Sequence, residues 1–418
     1  MLKKVIVSSM IGSIVERYDL SLYVAMAGIV FNKHYFPAND ATLALIMAFM
    51  TVAIGHIARP FGGLLFGHFG DKIGRKTMLL FSLILTGGAT VAIGLLPVYD
   101  SIGIIAPILL CMFRFLQGFG LGGEWGGAAL MVFEHAPEHK GLYGSILQTS
   151  LPIGLCLASG VITIIIGLTS QEAFVAWGWR ISFLLSAVLV FIGIWIRLSI
   201  KETPAFEKIR KSQKTVKTPV IELIENNIKQ VILGIMARQI EGVMYSIFGI
   251  WIISFLAKNL AVSLNDTLIG ITICALTMCA CQPFFGWLSD KIGRKQVYMW
   301  GSLACGILTC ISLLFIQSNP TNIVLLWIAM AIPFGVAYSA IFGIESTLLC
   351  EMYPTKVRFT GISIVYHFST YFCSAPTPII AVLLYSQFNS LLPVGLFVLL
   401  CGFISALAIK LMKNEQEE

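Results

Sequence analysis

Long apolar runs alternate with short polar breaks along the whole chain. The runs fall at about residues 5–31, 42–66, 77–97, 103–134, 141–169 and 178–199, and again at about 229–257, 267–288, 297–316, 322–350, 359–385 and 391–412. Each approaches the roughly 20 residues that an α-helix needs to cross the hydrocarbon core of a bilayer. The pattern predicts an all-α membrane protein with twelve transmembrane helices in two sets of six. The stretch from Lys201 to Glu225, with Lys208, Arg210, Lys211, Lys214 and Lys217, is the one long polar break and reads as a link. The expected organisation is a six-helix bundle over 1–200, a cytoplasmic linker over 201–228 and a second six-helix bundle over 229–418.

Composition supports this. Charged residues make up 12% of the 418-residue chain and apolar ones 57%, too little charge to cover a soluble surface. The net charge of +7 does not call for nucleic acid. Most Lys and Arg gather at helix ends and in the breaks on the side that carries the N-terminus, the linker and the C-terminus. Lys33, Arg180 and Lys258 lie on the other side. Lys/Arg-rich loops are the cytoplasmic ones, so both termini are expected in the cytoplasm. The ten cysteines lie almost all within apolar runs, with no C-x-x-C spacing, and read as free thiols. Neither a metal nor another cofactor is expected. The first apolar run contains Glu16, Arg17 and Asp19 and no small-residue cleavage site, so it reads as a retained helix.

One polar break is written twice. Gly67-His-Phe-Gly-Asp-Lys-Ile-Gly-Arg-Lys76 returns as Gly286-Trp-Leu-Ser-Asp-Lys-Ile-Gly-Arg-Lys295. Glu134, Pro137 and Gly144 answer to Glu351, Pro354 and Gly361, and the spacing of Glu16, Asp19 and Tyr23 is that of Arg238, Glu241 and Tyr245. The chain therefore reads as two parallel copies of one unit, a known transporter plan.

On these motifs the chain resembles the major facilitator superfamily. The twice-written loop matches its G-x-x-x-D-K-x-G-R-K signature, and Arg114-Phe-Leu-Gln117-Gly118 its R-x-x-Q-G signature of helix 4. More narrowly it is similar to the metabolite:proton symporters, on Ala58-Arg-Pro-Phe-Gly62, Gly122-Gly-Glu-Trp-Gly-Gly-Ala128, Glu134-His-Ala-Pro137, Trp177-Gly-Trp-Arg180 and Glu202-Thr-Pro204. The resemblance implies a central cavity lined by helices 1, 4, 7 and 10, a small-molecule substrate, protons as the coupling ion, and a monomer in the lipid bilayer. Arg17 stands where that family has an aromatic residue, and Glu345 and His367 where it has glutamine. These departures bear on the substrate.

An ionised group at the bilayer centre costs roughly 2.5–3.5 kcal/mol on insertion scales. The chain keeps nine in its apolar runs: Glu16, Arg17, Asp19, Arg59, Arg114, Glu124, Arg238, Glu241 and Glu345. Helical spacing puts Glu16, Asp19 and Tyr23 on one face, Arg114, Gln117 and Glu124 on a second, Arg238, Glu241 and Tyr245 on a third, and Tyr338 and Glu345 on a fourth. Any one of them could merely tie helices together. As a set they suggest proton coupling through Asp19, Glu16, Glu124 and Glu241, and substrate binding through Arg114, Arg238, Arg59, Gln117, Tyr23, Tyr245 and Glu345. Desolvation favours a neutral acid and a nearby arginine favours its anion, so a carboxylate beside an arginine can exchange a proton as the site opens. A packed, hydrogen-bonded role is the reading for His56 and His367.

In the loops, the resemblance sets Asp71 and Asp290 against helix N-termini. Arg75 and Arg294 are expected to reach Glu134 and Glu351, forming a cytoplasmic gate. The glycines Gly118 to Gly127 read as close helix packing; without a following Lys-Ser/Thr they are no nucleotide loop. No catalytic constellation is present, so an enzyme is not expected. The sequence reads as a secondary carrier for a carboxylate or zwitterion, driven by proton symport with alternating access. An exporter or antiporter of the same fold stays open, although Ser150-Leu-Pro-Ile-Gly154 lacks the G-P-x-x-G-G of many antiporters. A non-transporting membrane sensor stays open as well.

Overall fold

In a computed structural model, residues 2–37, 41–211, 218–260, 262–319 and 321–412 are described. Lys214 and Lys217 of the expected linker lie outside them. The described residues fold almost wholly into helices, without strands. Twelve are long: α1 (Leu2–Met26), α2 (Ala41–Ile73), α3 (Arg75–Leu95), α4 (Ile105–His135), α5 (Lys140–Leu168), α6 (Phe174–Ser199), α7 (Pro219–Leu256), α8 (Leu264–Ile292), α9 (Arg294–Ser318), α10 (Ile323–Glu351), α11 (Arg358–Phe388) and α12 (Leu392–Leu411). Eleven are long and apolar enough to cross a membrane. The other, α1, matches them in length but carries Glu16, Arg17 and Asp19 in addition to Lys3 and Lys4. Large side chains such as Phe191, Trp195 and Leu168 stand exposed, as lipid contact allows.

Contacts divide the chain into two units. One comprises Met1–His135 and Ile153–Val220, the other Ala136–Pro152 and Ile221–Glu418. The start of α5 thus belongs with the second unit. A short helix, Pro204–Lys211, lies in the stretch read as linker.

Within the first unit α2 and α4 meet backbone to backbone. A Cβ on Gly118 would stand 2.0 Å from the Gly55 carbonyl oxygen, and one on Gly62 1.8 Å from that of Phe119. Only glycine permits that approach, which explains the small residues of α4. Beside them an aromatic cluster of Phe31, Tyr35, Trp179 and Phe183 fills the core, with edge-to-face rings.

The repeated loop sequence makes the same bend twice. Gly74, with φ +129°, ends α2, and Gly293, with φ +98°, ends α8. Both angles lie where a side chain is strained, so glycine is required at this point of each copy. α1 and α7 also share a feature: a π-helical turn follows at Ala27–Phe31 in one and Ile247–Trp251 in the other. Such turns often mark functional stretches of a helix.

Candidate functional site

Each unit buries its own polar cluster, and each repeats a charged triad at its loop. In the first unit, Asp19 on α1 is fully buried and held by two hydroxyls. Its Oδ2 accepts from Thr90 Oγ1 of α3 at 2.9 Å, and its Oδ1 from Ser186 Oγ of α6 at 2.5 Å. The same Thr90 oxygen accepts from Gln117 Nε2 of α4 at 2.7 Å, and the Gln117 carbonyl accepts from Arg114 Nη1. Carboxylate, hydroxyl, amide and guanidinium thus form one unbroken chain. The hydrogen-bonded path from Asp19 to Arg114 runs through Thr90 and Gln117. The Arg114 guanidinium lies over the Tyr23 ring, 4.0 Å from its centroid, and Tyr23 donates its hydroxyl to Thr51 at 2.7 Å.

Nearby, Glu124 has a different arrangement. Arg197 of α6 grips both its oxygens, Nη1 to Oε2 at 3.0 Å and Nη2 to Oε1. Arg197 also donates to the Leu79 carbonyl at 2.8 Å, and Ser82 donates to Glu124 at 3.1 Å. This is a bidentate, buried ion pair, the strongest geometry open to these groups. Gly12 leaves room for it: a Cβ there would collide with the Arg197 guanidinium. Glu16, Arg17 and Arg59 are buried as well, and Glu16 stands among the charges of Arg17, Arg59, Glu124 and Arg197.

In the second unit one arginine gathers two acids. Arg238 lies where the φ/ψ of α7 relax, between its stretches Pro219–Ala237 and Gln239–Ser246. Its Nε meets Glu345 of α10, and its Nη2 meets Glu241 at 2.6 Å. Its Nη1 donates to the Tyr366 carbonyl at 2.6 Å and to the Ser369 hydroxyl, both on α11. The Tyr366 ring lies 4.1 Å beneath the guanidinium. The second oxygen of Glu241 accepts from Tyr338 at 3.0 Å. Tyr245, expected on the same stripe, is 40% exposed, and among the described residues it makes no hydrogen bond to Arg238 or Glu241.

At the loops, Arg75 lies 3.4 Å from Asp71 and 3.6 Å from Glu134. Arg294 lies 2.9 Å from Asp290 and 2.7 Å from Glu351. Asp290 also accepts from the backbone N–H groups of Gly141 and Leu142 at 2.8 and 2.9 Å, at the start of α5, where unpaired N–H groups and the helix dipole favour an anion. The lysines of the repeat go elsewhere: Lys295 donates to the Met412 carbonyl, Lys76 to that of Leu198, and Lys291 lies over Trp287.

Sequence reasoning missed Arg197, Thr90, Ser186 and Ser369. Arg197 lies near the end of an apolar run and reads there as an interfacial charge. The hydroxyl residues carry no signal of their own, since Ser and Thr occur throughout apolar helices and bond back to the preceding turn.

Two family profiles together cover most of the chain. The profile "Sugar (and other) transporter" matches residues 5–219, and the profile "Major Facilitator Superfamily" matches residues 237–418. The chain belongs to the major facilitator superfamily. It is 37% identical to the inner membrane metabolite transport protein YhjE of Escherichia coli (strain K12), over 99% of this chain and 95% of that protein. It is 34% identical to the shikimate transporter of the same organism, over 99% and 95% respectively. The fold matches that of a structure described as the proton:xylose symporter XylE, with TM-score 0.75 at 18% identity, over 98% of this chain and 94% of that one. This member of the superfamily is a multi-pass transporter of the cytoplasmic membrane and not an enzyme.

Proposed function

We propose that the protein is a proton symporter that accumulates a small organic metabolite, a carboxylate or zwitterion, by alternating access. The observation that carries this reading is the chain from Asp19 through Thr90 and Gln117 to Arg114. A carboxylate in direct contact with an arginine stays ionised and keeps it occupied. Here the acid is linked to the arginine but not locked to it, so a proton on Asp19 removes the anion that balances Arg114. The guanidinium is then free to take a substrate carboxylate, with the bidentate geometry that arginine favours. Ser186 and Thr90 adapt to either state, because a hydroxyl can donate to the anion or accept from the acid. For Thr90 the alternative acceptor is the Thr86 carbonyl at 2.9 Å.

In this reading Glu16 is a second acid of the same unit, and Arg59 helps to balance it. Glu124, held by Arg197, stands outside the proton path. Arg238, Glu241 and Glu345 form the polar cluster of the other unit. The triads Asp71–Arg75–Glu134 and Asp290–Arg294–Glu351 act as cytoplasmic gate elements. The shikimate relative, a transporter named for a carboxylate, supports the substrate class.

The test is transport in membrane vesicles with a panel of organic acids, amino acids and betaines. Uptake driven by an inward proton gradient is expected. Asp19→Asn should abolish accumulation while sparing substrate exchange, and full uphill transport by that variant would refute the assignment. Efflux driven by the same gradient would instead identify an exporter, and no flux with any compound a sensor.

A further inference from the structure

We infer that the first unit carries a binding site for an anionic phospholipid of the cytoplasmic leaflet, formed where α2 ends and α3 begins. The site is independent of the coupling mechanism, and its test requires no transport.

Between them α2 and α3 leave a cavity of about 410 Å³. Leu65, Phe69 and Ile73 line it from α2, and Met78, Phe81 and Ile84 from α3. The cavity is open on its outer side, where Phe81 is 58% and Ile84 51% exposed. The α2 residues recur every four positions and so lie along one face. Eight residues of helix rise about 12 Å, close to half of a hydrocarbon core of roughly 30 Å. A furrow of that length at the cytoplasmic end of two spanning helices matches an acyl chain of one leaflet.

An apolar furrow alone accepts any lipid; charge selects among them. Lys72 stands exposed on the same side of α2, three residues beyond Phe69. The acids of this bend are committed elsewhere. Asp71 and Glu134 lie against Arg75, and Glu202 accepts from the backbone N–H groups of Lys76 and Thr203. Lys76 gives its ammonium to the Leu198 carbonyl. Among the described residues no hydrogen bond or ion pair holds Lys72. His68 lies beside Lys72, one turn deeper, and supplies a second donor for a phosphate oxygen. A basic group between helix ends on the cytoplasmic side is the setting in which anionic headgroups bind.

The second copy of the loop provides a contrast. Lys291 stands at the place of Lys72, and Trp287 at that of His68. The Lys291 ammonium lies over the Trp287 ring, 3.9 Å from its centroid. That lysine already has a partner in the protein. One exchange, imidazole for indole, thus separates a lysine held by its own helix from one that faces the leaflet.

The experiment titrates the purified full-length protein in detergent with dioleoylphosphatidylglycerol or dioleoylphosphatidylcholine, and reads binding by native mass spectrometry and thermal melts. The wild type is expected to retain the anionic lipid in preference. Lys72→Gln should lower its affinity about fivefold, the factor that one lysine carries near an anionic surface, while Lys72→Arg should keep it. Ile84→Trp, which fills the furrow from an exposed position, should lower retention as well. Lys291→Gln should leave it unchanged. Equal retention of the two lipids overturns the inference, as does wild-type affinity in Lys72→Gln or in Ile84→Trp. An equal loss in Lys291→Gln would mean that surface charge alone attracts the lipid, and overturns it too. Glycerol 1-phosphate, the headgroup without its chains, should not raise the melting temperature. The same stabilisation from it would make the site one for free anions and overturn the lipid assignment.

Discussion

The two units bury similar charges in different ways. In the first, Asp19 and Arg114 are separated by a hydroxyl and an amide. In the second, Arg238 grips Glu241 and Glu345 directly. A buried direct pair is costly to break, since whichever partner remains is an uncompensated charge. A pair bridged by neutral groups can lose one charge to a proton and keep its hydrogen bonds. The lesson is that the distance between opposite charges, more than their number, separates a holding site from an exchanging one. Within the first unit the Arg197–Glu124 pair repeats the contrast, for it is as direct as that of Arg238.

The comparison breaks most visibly at Arg238. Arg238→Gln strands two acids and should cost about 3–5 kcal/mol, read as a large drop in thermal stability in detergent. Adding Glu241→Gln and Glu345→Gln should recover most of it. A single variant as stable as the wild type would mean that the direct contacts do not hold this cluster. Next comes Arg197→Met, expected to cost about 3 kcal/mol and to be rescued by Glu124→Leu. That result would show that contact, and not the unit concerned, sets the cost. Smaller again is Thr90→Val, which keeps the shape and removes the bridge. It should destabilise by about 1–2 kcal/mol and lower proton-driven uptake well below the wild-type rate, with counterflow unchanged and Thr90→Ser restoring uptake. If uptake persists at the wild-type rate, the bridge has no part in coupling. The smallest effect is expected for Tyr23→Phe, which keeps the ring under Arg114 and loses only the bond to Thr51. It should cost about 0.5–1 kcal/mol and leave the rate of uptake nearly unchanged.

The sequence was most informative where a physical rule acts along a single helix. Apolar run length was enough to find the long helices, and the doubled loop marked the matching bends at Gly74 and Gly293. Helical spacing placed Arg238 beside Glu241 and Arg114 beside Gln117, since partners three residues apart share a face. It was less informative where partners come from different helices. Nothing near Asp19 in the chain points to Thr90 or Ser186, and nothing near Glu124 points to Arg197. Those contacts depend on how helices rotate about their axes. Loop contacts were the exception, because the repeat wrote Asp, Arg and Glu at matched places in both copies.

The seam between α2 and α4 carries a different kind of consequence. Where Gly62 and Gly118 bring backbone against backbone, there are no rotamers to freeze and nothing to repack. The seam therefore has no graded tolerance: alanine is already too large, and every other side chain is worse. Elsewhere in the first unit a side chain can drift to a neighbour of similar volume and be accommodated. Along this line inheritance has no such latitude, and the walls of the polar cluster can diversify while the frame behind Arg114 stays as it was.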